Sequence, residues 1–142
     1  MRVEQISIFL ENTGGRIAEV TTILSAASVN IRALSLADTT DFGVLRLIVD
    51  DNETAENVLK ENGFSVGKTS VAAVAVEDKP GGLNRILILL ADADINVEYM
   101  YALQQSGDHA VMIFRFDNID EAVKVLEKEG IRVYKASEVA SL

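Results

Sequence analysis

The chain has 142 residues, 49% of them apolar, with a mean hydropathy of +0.20, which is enough for a packed core in one domain or two small ones. A net charge of −9 and a sequence pI near 4.5 set up a field that repels nucleic-acid phosphates and anionic lipid surfaces, so neither partner is expected. The lack of cysteine removes disulfides, thiolate metal sites and a cysteine nucleophile together.

The first apolar run is broken by Ser7 and Glu11, short of a signal-peptide core, and no run approaches the roughly 20 apolar residues of a membrane span; a cytoplasmic protein is expected. "QISIFLE" alternates Ile6, Ile8 and Leu10 to one side and predicts a strand. Next, Ile17, Val20, Ile23, Leu24 and Ala27 form one helical stripe, with Arg16, Glu19, Thr22 and Ser25 off it. "NIRALSLAD" and "VLRLIVDD" read as two strands around a hairpin. "DDNETAENVLKENG" is a helix capped by its Asp/Asn cluster and stopped at Gly63, with a short strand at "FSV" to close the unit. After a linker at "GKTS" the same series returns. It comprises a strand "VAAVAVE" turning Ala72, Val74 and Val76 inward, a helix after "EDKPGG", strands "NVEYMYALQ" and "AVMIFRFDN", a helix in "DNIDEAVKVLEKEG" ending at Gly130, and a strand at "IRV" before a tail "KASEVASL".

The two series superpose in sequence. One fixed offset carries Glu11 onto Glu77, Gly15 onto Gly81, Val20 onto Ile86, Leu24 onto Leu90 and Asn30 onto Asn96. Past the next strand the offset grows by one, carrying Ala55 onto Ala122, Leu59 onto Leu126 and Gly63 onto Gly130; the extra residue is expected in the turns "DTTDFG" and "QQSGDHA". The order β-α-β-β-α-β is that of a ferredoxin-like unit. The fold class is therefore α+β: two tandem units, residues 1–68 and 69–142, each an antiparallel four-stranded sheet with its helices on one face. With Leu45, Leu47, Val49, Met112, Phe114 and Phe116 core-facing, the opposite face carries Phe9, Val44, Ile48, Ala73, Ala75, Val111 and Ile113, interrupted by Arg46 and Arg115. That face is too apolar for water. Leu87 and Ile88, standing where the first repeat has Thr21 and Thr22, add a further apolar strip, and together these surfaces predict a two-fold homodimer.

"EDKPGGLNRI" holds the only proline, at the mouth of a helix, followed by two glycines. Proline suits a helix entry, and glycine lets backbone N–H groups approach a small ligand. The β-α-β-β-α-β repeat, the Pro-Gly loop and the Asn-Ile or Asn-Val after the helix together resemble an ACT domain, present twice over nearly the whole chain. The resemblance implies a regulatory module in which paired domains bind free amino acids at their interface. Carried over by position, the ligand-contacting residues are Asp78, Lys79, Pro80, Gly81, Gly82 and Asn96, with Asn12, Thr13, Gly14, Gly15 and Asn30 in the first copy. Gly14 stands where the family usually has proline, so the first loop is less pre-shaped and unequal occupancy is expected. The residues themselves agree with this reading: unpaired N–H groups and the helix dipole favour a carboxylate, an asparagine both donates and accepts, and Glu77 or Asp78 can meet an ammonium.

His109 is the only histidine and reads as an exposed turn residue; with no cysteine, no transition-metal site is expected. "DNID" lacks the ligands and glycine of an EF-hand and is a helix cap. Tyr99 and Tyr101 either line a pocket or pack, and Arg46 and Arg115 either pair with acids or snorkel from the sheet. No Ser-His-Asp, P-loop or dinucleotide pattern occurs, so neither catalytic residues nor a cofactor are expected. The expected function is a stand-alone amino-acid sensor that regulates amino-acid metabolism or a partner enzyme. The alternatives are a ligand-free interaction module and, last, a small enzyme on the same scaffold.

Overall fold

The structure is a computed structural model, and it describes residues 2–142. The elements are β1 (Val3–Glu11), α1 (Arg16–Ala26), β2 (Ile31–Asp38), β3 (Phe42–Val49), α2 (Asn52–Glu61), β4 (Ser65–Glu77), α3 (Gly82–Asp92), β5 (Val97–Ser106), β6 (His109–Phe116), α4 (Ile119–Lys128), β7 (Val133–Tyr134) and α5 (Ala136–Ala140). They form two compact units, one of Glu4–Thr69 and one of Ser70–Leu142 together with Arg2 and Val3. No helix among the described residues is long and apolar enough to cross a membrane.

In the unit Glu4–Thr69 the strand order is β2-β3-β1-β4. Ile6 lies opposite Leu47 and Ile8 opposite Leu45, so these four side chains share the face that α1 and α2 cover. Val20 and Leu24 of α1 and Ala55 and Leu59 of α2 complete that core. Ile17, predicted on the stripe, is exposed, because the stripe drifts off the core at the first turn. The unit Ser70–Leu142 has the order β5-β6-β4-β7. Ala72, Val74, Val76, Phe114 and Phe116 meet Ile86, Leu90, Ala122 and Leu126 across the helix–sheet layer, and Phe114 stacks on Phe116 at 5.5 Å. The predicted α+β fold, two βαββαβ units with antiparallel sheets, is thus the observed one.

The tail forms α5, with Glu138 accepting from the Lys135 N–H at 2.9 Å. Three local readings need correction. "GKTS" is not a linker: β4 runs unbroken from Ser65 to Glu77, its first residues closing one unit and its last opening the next. The inserted residue sits in a strand. Ala102 pairs with Met112 and Gln104 with Val111, leaving Leu103 as the extra residue of a β-bulge. Last, Leu87 packs against its own domain's core, and only Ile88 of the predicted strip stands half-exposed. On the sheet faces away from the helices, Ile48, Ala73, Val111 and Ile113 are buried, whereas Phe9 and Phe42 are 55% and 63% exposed.

Candidate functional site

Both glycine loops have the same backbone. Gly15 (φ 85°, ψ −7°) and Gly81 (φ 87°, ψ −8°) are the N-cap residues of α1 and α3, in the left-handed conformation that only glycine adopts cheaply. Pro80 therefore precedes the cap and is not the first helical residue as its chemistry suggested. Gly14 holds the matching place in the first loop. Residues 12–15 and 78–81 are all exposed. Each loop is tied to the neighbouring hairpin: the Asn12 N–H donates to the Asp41 carbonyl at 2.8 Å and its Nδ2 to Thr39, while the Asp78 N–H donates to the Asp108 carbonyl at 2.8 Å and its carboxylate accepts from Gln105. Within the loops the Thr13 N–H donates to the Glu11 carbonyl and the Lys79 N–H to the Glu77 carbonyl.

Asn30 and Asn96 are also placed identically. The Asn30 N–H donates to Asp50 Oδ1 at 2.9 Å and its carbonyl accepts from the Asp50 N–H; Asn96 and Asp117 repeat the exchange at 3.0 and 3.2 Å. Both asparagines are exposed. They do not join the loops, however. Each follows the C-terminus of an 11-residue helix whose N-terminus carries the loop, a separation of about 16 Å at 1.5 Å per residue. Within one domain, Gly81 and Asn96 lie too far apart to hold one small molecule, which agrees with the interface placement that the ACT resemblance implies. The helix length already contained that signal.

Gly82 has a packing role as well. A Cβ there would stand 2.0 Å from the Glu77 carbonyl oxygen, so glycine is required by the close approach of α3 to the end of β4. The equivalent residue in the first unit is Arg16, and the corner there is looser: the Arg16 N–H lies 3.4 Å from its acceptor, the Thr13 carbonyl, against 3.0 Å between Gly82 and Lys79. Arg16 spans the corner. Its guanidinium lies 4.4 Å from the Phe64 ring centre and 2.8 Å from the carboxylates of Glu11 and Glu19. Glu11 is held below its ordinary pKa first by a hydrogen bond from its own backbone N–H and then by the charge of Arg16.

In the second unit the same corner is open. A cavity of about 130 Å³ lies among Glu77, Gly82, Arg85, His109, Ile131 and Arg132. Glu77 is held below its usual pKa chiefly by the hydrogen bond from Lys79, 2.8 Å away, with the charges of Arg85 and His109 adding to it. Arg132 pairs with Glu138 and stacks on Tyr134 at 4.2 Å. Sequence reasoning passed over Arg16, Arg85 and Arg132, although the repeat offset sets Arg16 on Gly82 and Glu19 on Arg85.

The remaining candidates are accounted for locally. His109 lies 2.5 Å from Asp108 at the hairpin, Arg115 pairs with Glu98 at 3.2 Å and donates to the Ser70 carbonyl, and Tyr99 and Tyr101 lie opposite Arg115 and Ile113, on the face away from the helices. Among the described residues no cluster of three or more His, Asp or Glu is arranged to hold a metal ion.

The ACT domain pair family model matches residues 1–142. Protein BT0572 from Bacteroides thetaiotaomicron superposes with a TM-score of 0.93 at 37% identity, over 100% of this chain and 98% of that one. The regulatory subunit of aspartate kinase from Thermus thermophilus, in its ligand-free form, shares the fold with a TM-score of 0.62 at 14% identity, covering 88% and 91% of the two chains. The corresponding subunit from Thermus flavus gives 0.59 at 15%, covering 88% and 90%. No curated protein sequence matches the chain.

Proposed function

The chain belongs to the ACT domain pair family, and from that premise we propose that it is a stand-alone regulator that binds a free amino acid at ACT-domain interfaces and transmits occupancy to amino-acid metabolism or a partner enzyme. In this reading residues 1–68 and 69–142 are its two ACT domains, and no reaction is catalysed. The observation that carries it is the duplication of one exposed loop, residues 12–15 and 78–81, each turning through a left-handed glycine into a helix N-terminus that favours a carboxylate.

Because loop and asparagine lie at opposite ends of a domain, a ligand touching both takes them from two domains. Asn12, Thr13, Gly14 and Gly15, or Asp78, Lys79, Pro80 and Gly81, supply the carboxylate end; Asn30 or Asn96 of another domain supplies the amide. A two-fold homodimer brings such pairs together between chains. Gly82, which packing also requires to be glycine, stays with the second loop in the ligand set.

Calorimetric titration with each of the twenty amino acids tests the reading, alongside melting curves at rising ligand concentration. The expected result is saturable binding of one or a few amino acids, a melting temperature that rises with ligand, and about a ten- to hundredfold loss of affinity in Asn96→Ala. If no amino acid at millimolar concentration moves the melting curve, the reading fails. The exposed Phe9 and Phe42 favour one second reading, an interaction module whose ligand is another protein surface. A light-scattering dimer indifferent to every amino acid selects that alternative.

A further inference from the structure

We propose that the cavity beside Gly82 is an amino-acid site inside the second ACT domain, in which Glu77 receives the ligand's α-ammonium group and Arg85 its α-carboxylate. The proposal rests on the reading of the chain as an amino-acid regulator, and it adds a site that one domain completes by itself.

The two repeats make the argument. In the first unit the corner between β1 and α1 is occupied by the protein's own cation: the Arg16 guanidinium covers the Phe64 ring and lies 2.8 Å from both Glu11 and Glu19. Two acids complement one cation, and the corner is complete. In the second unit four positions of that arrangement can be compared. The strand-end acid remains, as Glu77. The second acid is replaced by Arg85, the spanning arginine by Gly82, and the ring by the shorter Ile131. What is left is a cavity of about 130 Å³ bordered by Glu77 and by the basic side chains of Arg85, Arg132 and His109, of which Arg132 and His109 have acidic partners outside it in Glu138 and Asp108. The remaining pair, Glu77 and Arg85, complements a zwitterion as the first pair complements a cation.

Size and lining narrow the ligand. A cavity of about 130 Å³ is small and best suits a free amino acid with a short side chain. Ile86 and Ile131 provide an apolar floor for a short aliphatic group. The other charged groups at the cavity are already engaged: Arg132 with Glu138 and the Tyr134 ring, His109 with Asp108. Lys79 is the competitor for Glu77, at 2.8 Å, but its side chain is 67% exposed and an ion pair of this kind is exchanged at little cost. Arg85 reaches the Glu129 carbonyl only at 3.4 Å and is exposed, so it can turn to a carboxylate. Glu77 is ionised at neutral pH, as an ammonium partner requires.

Calorimetric titration of the full chain with glycine, L-alanine and L-serine, and with propionate and L-alaninamide as half-charged analogues of alanine, tests the site. At least one of the three amino acids is expected to bind, and each analogue about tenfold or more weaker than alanine, since each lacks one charge-assisted contact. Arg85→Gln, an exposed substitution that leaves the core intact, is expected to weaken binding by about tenfold. Ile131→Phe, which restores the larger residue of the first unit, is expected to abolish it by filling the space, and Lys79→Ala to tighten it by releasing Glu77. Amino-acid affinity that survives both Arg85→Gln and Ile131→Phe but is lost in Asn96→Ala overturns the cavity site and leaves the interface clamp standing. Binding confined to large side chains overturns the cavity site as well, and no binding of any amino acid overturns both.

Discussion

The corner where the first strand of a domain hands over to its first helix is built twice in this chain and finished in two ways. In the unit Glu4–Thr69 the helix stands off far enough for Arg16 to reach across, covering Phe64 and joining Glu11 to Glu19. In the unit Ser70–Leu142 the helix is drawn in until the Glu77 carbonyl occupies the place of a Cβ at Gly82, and a cavity opens beyond it. The loops leading into the two corners have the same φ and ψ at their glycines. The turn is thus set by the left-handed glycine, while the residue after it decides whether the corner is filled by the protein or left open. One fold supplies a self-satisfied copy and an unsatisfied one, and the difference lies in a handful of side chains.

The largest effect is expected from exchanging the two corners. Gly82→Arg places a Cβ where the Glu77 carbonyl oxygen already lies, and the resulting backbone shift is expected to cost about 3 kcal/mol, read as a fall in the urea midpoint. A variant as stable as the parent shows that the two corners interconvert freely and removes the distinction. Next come Gly15→Ala and Gly81→Ala. Both residues sit at φ near 85°, and each substitution is expected to cost about 1–2 kcal/mol, to the same extent in both units. A markedly larger loss at Gly81 shows instead that Pro80 pre-shapes the second loop.

The second helices sharpen the comparison at lower cost. Asn118 caps α4 by accepting from the Glu121 N–H, and Asn118→Ala is expected to lose about 1 kcal/mol at any pH. Asp51 caps α2 by accepting from the Thr54 hydroxyl and N–H, and these bonds hold its carboxyl below its ordinary pKa of 3.8. A depressed carboxyl stabilises fully above its unfolded value and loses that contribution as pH falls through the lower folded one. Amide exchange is therefore expected to speed up at the start of α2 below pH 3.8 with no matching change at α4. The smallest effect is expected from Arg16→Ala, whose ion pairs face solvent: a modest fall in melting temperature at low salt that shrinks as salt is added, leaving the contact with Phe64 as the remainder.

Much of this molecule was legible in one dimension. The repeat, the βαββαβ order, the inward residues of β1 and β4 and the glycine ends of α2 and α4 follow from periods of 2 and 3.6 and from φ > 0 preferences, which act within a few residues. So did the ACT resemblance, since the loop and the asparagine recur at matched positions. Tertiary structure alone decided the rest. β4 is continuous because hydrogen-bonded neighbours keep "GKTS" extended, although its composition favours a turn. Leu103 was absorbed by a bulge because the pairing of β5 with β6 resumes on both sides of it. Gly82 is glycine because of a carbonyl that packing brings within 2.0 Å, and Gly81 and Asn96 belong to different ends of a domain because a rigid helix separates them. Local propensity acts along the chain; which atoms compete for one volume is settled only when distant segments pack at the density of a solid.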